Sequence, residues 1–159
     1  MKSFLALSLL CVCTLTGCAT ARLYPVQGPL SSQNPPPVYV AKFSGAFNSG
    51  DLSVVLGGGE VCKGHWAQVP RPNTPQAATT AAAATGDNLS AEWDTVYGTG
   101  FYVAHVLGTR LYARAVLTGN RGTTLNVELY KPDKVENTSV SAIKGVAKDD
   151  KGNIYKVAF

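Results

Sequence analysis

The 159-residue sequence is poor in cysteine, in charge and in long apolar runs. It contains 4 cysteines, and charged residues make up 15% of the chain. The formal net charge of +4 is a mild bias and gives no support for nucleic-acid binding. A membrane-spanning helix needs about 20 apolar residues, and no apolar run in the sequence is that long. These shortages argue against a disulfide scaffold, a nucleic-acid-binding protein and a helical membrane protein.

The N-terminal residues predict a cleaved export signal. A short basic start, Met1-Lys2, precedes an apolar stretch over Phe4–Leu15. This length fits the apolar region of a secretory signal peptide better than a buried N-terminal helix. The next residues, Leu15-Thr16-Gly17-Cys18, resemble a lipobox, the motif at which bacterial signal peptidase II cuts before a cysteine that becomes lipidated. We therefore expect a signal peptide over 1–17, cleavage between Gly17 and Cys18, and lipidation of Cys18.

The resemblance to a lipobox has consequences for location and for the remaining thiols. Two or more acyl chains anchor a protein stably in a membrane. Ala19 follows the cysteine, and in a Gram-negative host this implies the outer membrane, with the domain facing the periplasm. Cys11 and Cys13 leave with the signal, so Cys62 is the one thiol left. An intrachain disulfide is then impossible, and core packing must stabilise the domain.

The composition divides the rest of the chain into two parts. Residues 18–37 hold the lipidated cysteine and five prolines, a composition typical of an extended, semi-rigid tether. The alternative is an irregular strap that docks on the domain. Residues 38–159 then form a single β-rich periplasmic domain, long enough for one hydrophobic core.

The domain alternates apolar and polar residues with a period of two, which indicates half-buried strands. The clearest case is Thr123–Lys131, in which Leu125, Val127 and Leu129 face inward. We also interpret Phe101–Leu107 as a strand. The spacing of apolar residues between Leu89 and Tyr97 predicts a short helix that packs on the sheet or plugs the end of a barrel. The expected fold is a small antiparallel β-sandwich or barrel of about seven strands with one short helix.

Few residues offer chemistry. On a strand, Cys62 and His65 point to opposite faces, and a zinc site needs three or four ligands. A thiol nucleophile formed by Cys62 and His105 is an alternative, but no carboxylate can be assigned to orient that histidine. The glycines of Gly57–Gly59 and Gly98–Gly100 lack the context of a nucleotide site. We predict no catalytic, metal or cofactor-binding residues and no enzymatic activity.

One basic strip is a candidate binding surface. Arg110, Tyr112 and Arg114 share one face of a predicted strand, and Arg121 lies in the adjoining turn. Such a strip suits an anionic envelope partner, for example a lipid phosphate, an acidic glycan or an acidic protein. The alternative is an ordinary solvent-exposed face that blunts a strand edge.

Taken whole, the chain resembles uncharacterised bacterial lipoproteins. The resembling stretches are the lipobox, Gly59–Trp66, Trp93–Gly98, Gly145–Ala147 and Gly152–Tyr155. The resemblance implies an anchored protein and carries no catalytic residues. The expected function is a non-enzymatic outer-membrane lipoprotein that binds an envelope component or supports envelope assembly. A periplasmic inhibitor of a lytic enzyme, similar in format to lipoprotein inhibitors of lysozyme, is the alternative, and a hydrolase is a third class.

Overall fold

The computed structural model describes residues 17–45, 48–69, 89–107, 111–132 and 140–159, which form a closed barrel of eight antiparallel strands. Each strand pairs with its neighbour in sequence, and the last strand pairs with the first. The strands are β1 (Gly17–Gln27), β2 (Tyr39–Gly45), β3 (Ser49–Val55), β4 (Val61–Gln68), β5 (Leu111–Gly119), β6 (Thr124–Tyr130), β7 (Lys144–Asp149) and β8 (Ile154–Ala158). The predicted antiparallel β class is confirmed. Of the two predicted architectures, sandwich and barrel, the structure shows the barrel.

Apolar side chains fill the barrel interior. The alternation predicted for β6 is confirmed, because Leu125, Val127 and Leu129 belong to the interior cluster. Large inward residues such as Leu23 and Tyr155 alternate with small ones, which is how a narrow eight-stranded barrel is filled. The small inward residues are Ala21, Ala41, Ala113, Ala115 and Ala147. The barrel is therefore a packed core.

A glycine permits the close approach of two strands in this wall. Gly64 of β4 pairs with Leu117 of β5. A Cβ atom on Gly64 would lie 2.1 Å from the carbonyl oxygen of Val116, a distance that no side chain tolerates. The curvature of the wall at this point therefore requires glycine.

The prediction of a tether over residues 18–37 is wrong. Residues Gly17–Gln27 form β1, which pairs with β2 on one side and with β8 on the other. The period-two pattern of this segment places Ala21 and Leu23 inside the barrel, while Arg22 between them is exposed. Proline composition was misleading because Pro25 sits at the bulge where β1 shifts register against β8. The domain therefore begins before Val38.

The proline-rich remainder connects β1 to β2 across one end of the barrel. The backbone N–H of Leu30 donates to Oδ1 of Asn153 at 2.9 Å, and the Leu30 side chain packs against the interior cluster. This is the docked strap that the sequence left open as the alternative to a tether.

A short helix covers the outer face of β6 to β8. Helix α1 (Ser90–Tyr97) contacts β7 and β8, as predicted from the apolar spacing. Its Trp93 is fully buried, and the indole N–H donates to Oε2 of Glu128 at 2.9 Å. Oε1 of Glu128 accepts from Nε of Arg114 at 2.9 Å. A buried carboxylate on the outside of the barrel thus joins the helix to the wall. Within the described ranges, no helix has the length and apolar character that crossing a membrane requires.

The prediction of a strand over Phe101–Leu107 is also wrong. The segment forms a π-helical turn, Tyr102–Val106, whose backbone bond runs from the N–H of Leu107 to the carbonyl of Tyr102 at 2.8 Å. Asp94 accepts the backbone N–H groups of Gly100 at 3.0 Å and Tyr102 at 2.9 Å, which orients the start of the turn. These same bonds lower the pKa of the Asp94 carboxyl.

Replacing Trp93 should detach the helix from the barrel. We expect Trp93→Ala to lower the free energy of unfolding by about 3–5 kcal/mol, because it opens a cavity and leaves Glu128 without its indole donor. Urea unfolding followed by tyrosine fluorescence measures the effect. The matched control is Val103→Ala on the π-helical turn, whose side chain is 67% exposed and whose loss should change little. Equal effects of the two changes would contradict this arrangement.

Candidate functional site

Cys18, the predicted lipidation site, lies in the barrel wall. It is the second residue of β1, is exposed, and pairs with Ser44 of β2. Cleavage between Gly17 and Cys18 would remove one residue of β1 and leave its other pairings in place. Of the signal peptide predicted over residues 1–17, residues 1–16 lie outside the described residues.

The outward side chains of β1 to β4 form a surface that we call the β1–β4 wall. Strand pairing aligns them in rows that run across the strands. One row is Thr20, Lys42, Ser53 and Lys63. The next row is Arg22, Val40, Val55 and Val61. Cys18 belongs to the same wall, because it alternates with the inward residues of β1.

A shallow cavity of about 410 Å³ adjoins Cys18 on this wall. Its polar lining contains the hydroxyl groups of Thr20, Ser44 and Ser53 and the side chains of Lys42 and Asp51. Asp51 lies 3.5 Å from Nδ1 of His65, and both side chains are exposed to solvent. Hydroxyl groups, the ammonium group of Lys42 and the carboxylate of Asp51 therefore line the same cavity as Cys18.

The structure does not join the predicted basic strip into one binding surface. Tyr112 and Arg114 share the outward face of β5, as expected, but the Arg114 guanidinium is held by the buried carboxylate of Glu128. Lys131 lies over the ring of Tyr112 at 5.7 Å. Arg121 is exposed in the turn after β5, and Arg110 lies outside the described residues. Arg114 stabilises the fold here and is already neutralised.

The structure separates the two residues proposed as a thiol–imidazole pair. Cys62 is fully buried inside the barrel, whereas His105 lies outside it, with its ring 4.6 Å from that of Phe101. Burial and the nearby Glu60 carboxylate raise the pKa of the Cys62 thiol, which makes it a weak nucleophile. His65 is exposed on the opposite face from Cys62, as predicted. The pairing of Cys62 with His105 is therefore wrong.

The end of the barrel opposite Cys18 carries buried carboxylates that sequence reasoning missed. Oε2 of Glu60 accepts the hydroxyl of Thr123 at 2.7 Å, and Oε1 accepts the N–H of Thr123 at 3.0 Å and of Arg121 at 3.3 Å. The ammonium of Lys151 lies 3.6 Å from Oε2. The Thr123 hydroxyl first, and then its backbone N–H, lower the pKa of Glu60 despite its burial.

Asp149 forms the second half of this polar end. Its Oδ2 accepts the Tyr155 hydroxyl at 2.7 Å and the amide of Asn153 at 2.8 Å, and its Oδ1 accepts backbone N–H groups of the β7–β8 turn. Burial and this carboxylate raise the pKa of Tyr155. A cavity of about 340 Å³ lies beside these groups. The hydrogen bonds of this cluster join the turns at this end of the barrel. No buried side-chain N or O atom in the described residues lacks a partner.

The described residues contain no group of three or more His, Cys, Asp or Glu side chains that could hold a metal ion. No protein-family model, curated protein or solved structure matches this chain. The choice of a candidate site therefore rests on geometry alone. We choose the β1–β4 wall beside Cys18.

Sequence reasoning missed this wall for a specific reason. The alternation of β2 and β4 already placed Lys42 and Lys63 outward, and the alternation Ala19–Tyr24 would have placed Arg22 outward as well. Their alignment required the strand register, which no local pattern contains. The cluster at Glu60 was hidden in the same way, because its partner Thr123 is far away in sequence.

The carboxylate of Glu60 should make barrel stability depend on pH. Its folded pKa lies below the ordinary value of 4.5, so its contribution is present above that value and disappears as the pH falls through the lowered pKa. We expect Glu60→Gln to lower Tm most at neutral pH, and the gap to wild type to shrink below pH 4.5. Thermal melts across pH measure this. The exposed Asp51→Asn is the control, and a gap that stays constant with pH would contradict the assignment.

Proposed function

We propose that this chain is a bacterial lipoprotein: a β-barrel anchored in the outer membrane through lipids on Cys18, which binds an envelope component without catalysing a reaction. The observation that carries the proposal is the lipobox-like sequence Leu15-Thr16-Gly17-Cys18 together with the exposed position of Cys18. A cysteine at the edge of a barrel and open to solvent is accessible for processing and acylation.

The two faces of the barrel support anchoring over spanning. A spanning barrel presents an apolar band to lipid and a polar lumen. In this barrel the interior is apolar, and the outer face carries cations within the strands. The outward cations of β1, β2, β4, β7 and β8 are Arg22, Lys42, Lys63, Lys144, Lys148 and Lys156. A lipid on Cys18 would supply the membrane attachment that such a surface does not provide by insertion.

The proposed role is binding, and the placement of the reactive and charged side chains supports it. Cys62 lies inside the barrel and His105 lies outside it, and the carboxylates of Glu60 and Asp149 accept hydrogen bonds from groups in the turns. The exposed β1–β4 wall offers cations, hydroxyl groups and valine side chains. These groups suit contact with an anionic envelope surface.

Changing the anchor cysteine should abolish lipid attachment. We expect Cys18→Ser to accumulate as an uncleaved precursor that incorporates no palmitate analogue, since the serine cannot form the thioether that precedes cleavage. Metabolic labelling and intact mass measure the two effects. The control is Cys62→Ala, which removes the buried thiol and should label normally. Normal maturation of Cys18→Ser would overturn the proposal.

The residue after the anchor should decide which membrane the protein reaches. The resemblance to lipoproteins implies that Ala19→Asp shifts the protein toward the inner membrane of a Gram-negative host. Density-gradient fractionation measures the shift. Ala19 packs against the barrel interior, so Ala19→Asn serves as the control of equal size without the charge. An Asp variant that stays in the outer membrane would contradict the assignment to that membrane.

A further inference from the structure

We propose that the β1–β4 wall lies against the bilayer that the acyl chains of Cys18 enter and binds the headgroups of anionic phospholipids there. The inference rests on the proposed lipid anchor and adds two things to it: the orientation of the barrel and the class of lipid that it contacts.

The proposed anchor, Cys18, lies within the folded barrel. Cys18 is paired with Ser44 inside the wall, so no tether separates the acylated sulfur from the folded barrel. Only the cysteine side chain and the lipid glycerol lie between the strand and the hydrocarbon. The protein surface around Cys18 must therefore meet the headgroups. That surface is the β1–β4 wall, since Cys18 points outward from β1.

The β1–β4 wall carries exposed positive charges. Arg22, Lys42 and Lys63 are exposed, and they have no acidic or aromatic partner within the described part of the chain. The acid of the wall, Asp51, lies at the Cys18 end and pairs with His65 at 3.5 Å. Three unpaired cations on one surface complement the phosphates of an anionic bilayer, each adding about 1 kcal/mol near the surface.

On the opposite half of the barrel, cations pair with acidic side chains or aromatic rings. Lys148 donates to Glu92 at 2.7 Å, and Arg114 donates to Glu128 at 2.9 Å. Lys144 lies over the ring of Phe101 at 5.1 Å. Each of these three cations has an acid or a ring as its partner, whereas Arg22, Lys42 and Lys63 have none within the described residues and can bind an external partner.

The β1–β4 wall also exposes apolar side chains. Val40 and Val55 pair across β2 and β3, and their side chains are 42% and 53% exposed. They lie in the row beside Lys42 and Lys63. Lysine and arginine stems cover apolar surface while their charged ends reach phosphates, so this mixture suits the headgroup region better than water or hydrocarbon.

The cavity beside Cys18 supplies a place for a headgroup. Lys42 and the hydroxyl groups of Thr20, Ser44 and Ser53 line its volume of about 410 Å³. An ammonium group and hydroxyl donors are the groups that bind a phosphate monoanion. The carboxylate of Asp51 at the same cavity opposes an anion, and it lies 3.5 Å from Nδ1 of His65.

Vesicle binding by the unacylated barrel tests the charge of the wall. The protein is the chain from residue 18 with Cys18→Ser, which retains all eight strands. We expect it to sediment with phosphatidylcholine vesicles that contain phosphatidylglycerol, to dissociate as salt is added, and to ignore phosphatidylcholine alone. Combining Arg22→Gln, Lys42→Gln and Lys63→Gln should weaken binding roughly a hundredfold, about fivefold for each cation.

The control removes the same charge from elsewhere. Arg121→Gln, Lys131→Gln and Lys144→Gln together lie outside the wall and should weaken binding only slightly. Thermal melts confirm that each protein is folded. Equal losses in the two triple variants would overturn the proposal, because binding would then follow net charge alone. Failure of the folded parent to prefer anionic vesicles would overturn it as well.

A second measurement tests the orientation of the acylated protein. In an eight-stranded barrel, β6 and β7 lie opposite β2 and β3, so Val103 on the π-helical turn is far from the wall. Fluorophores at Ser53→Cys and at Val103→Cys report on each side, since the native Cys62 is buried. Lipids that carry a headgroup quencher should quench the probe at position 53 and spare the probe at 103. Equal quenching of an acylated protein overturns the orientation, whereas absence of acylation overturns the anchor.

Discussion

Pairing of the first strand with the last is the constraint on which the rest of this protein depends. β1 contributes Ala21 and Leu23 to the interior and satisfies the backbone of both β2 and β8. Without it, two strand edges and one side of the core would face water. Closure also carries Cys18 into the wall, because the strand begins beside that residue. The position of Cys18 is thus a consequence of how the barrel closes.

The closed barrel has two chemically different sides. On one side, the buried carboxylate of Glu128 receives Trp93 of the helix and Arg114 of β5, and aromatic rings cover the neighbouring strands. On the other side, the β1–β4 wall carries exposed cations. The first side completes the fold with a second layer. The second side is the one that the proposed anchor presents to the membrane.

Local patterns predicted the strands well where alternation was regular and failed where composition or spacing was ambiguous. β6 was placed correctly, because Leu125, Val127 and Leu129 alternate with polar residues. β1 was mistaken for part of a tether because the five prolines between residues 25 and 37 outweighed the alternation around Leu23. Phe101–Leu107 was mistaken for a strand because a short apolar run fits either period. The hydrogen bonds from Gly100 and Tyr102 to Asp94 involve a residue that lies outside this run.

The sequence by itself determined the antiparallel β class, the short helix before Gly98 and the candidate anchor at Cys18, because each follows from residues close together in the chain. Only the tertiary structure decided that the sheet closes, that Cys62 and His105 lie on opposite sides of it, and that Glu60 meets Thr123. It also aligned Lys42 with Lys63 and placed Arg22 in the adjacent row. These outcomes depend on strand register, a relation between distant segments that only the assembled barrel specifies.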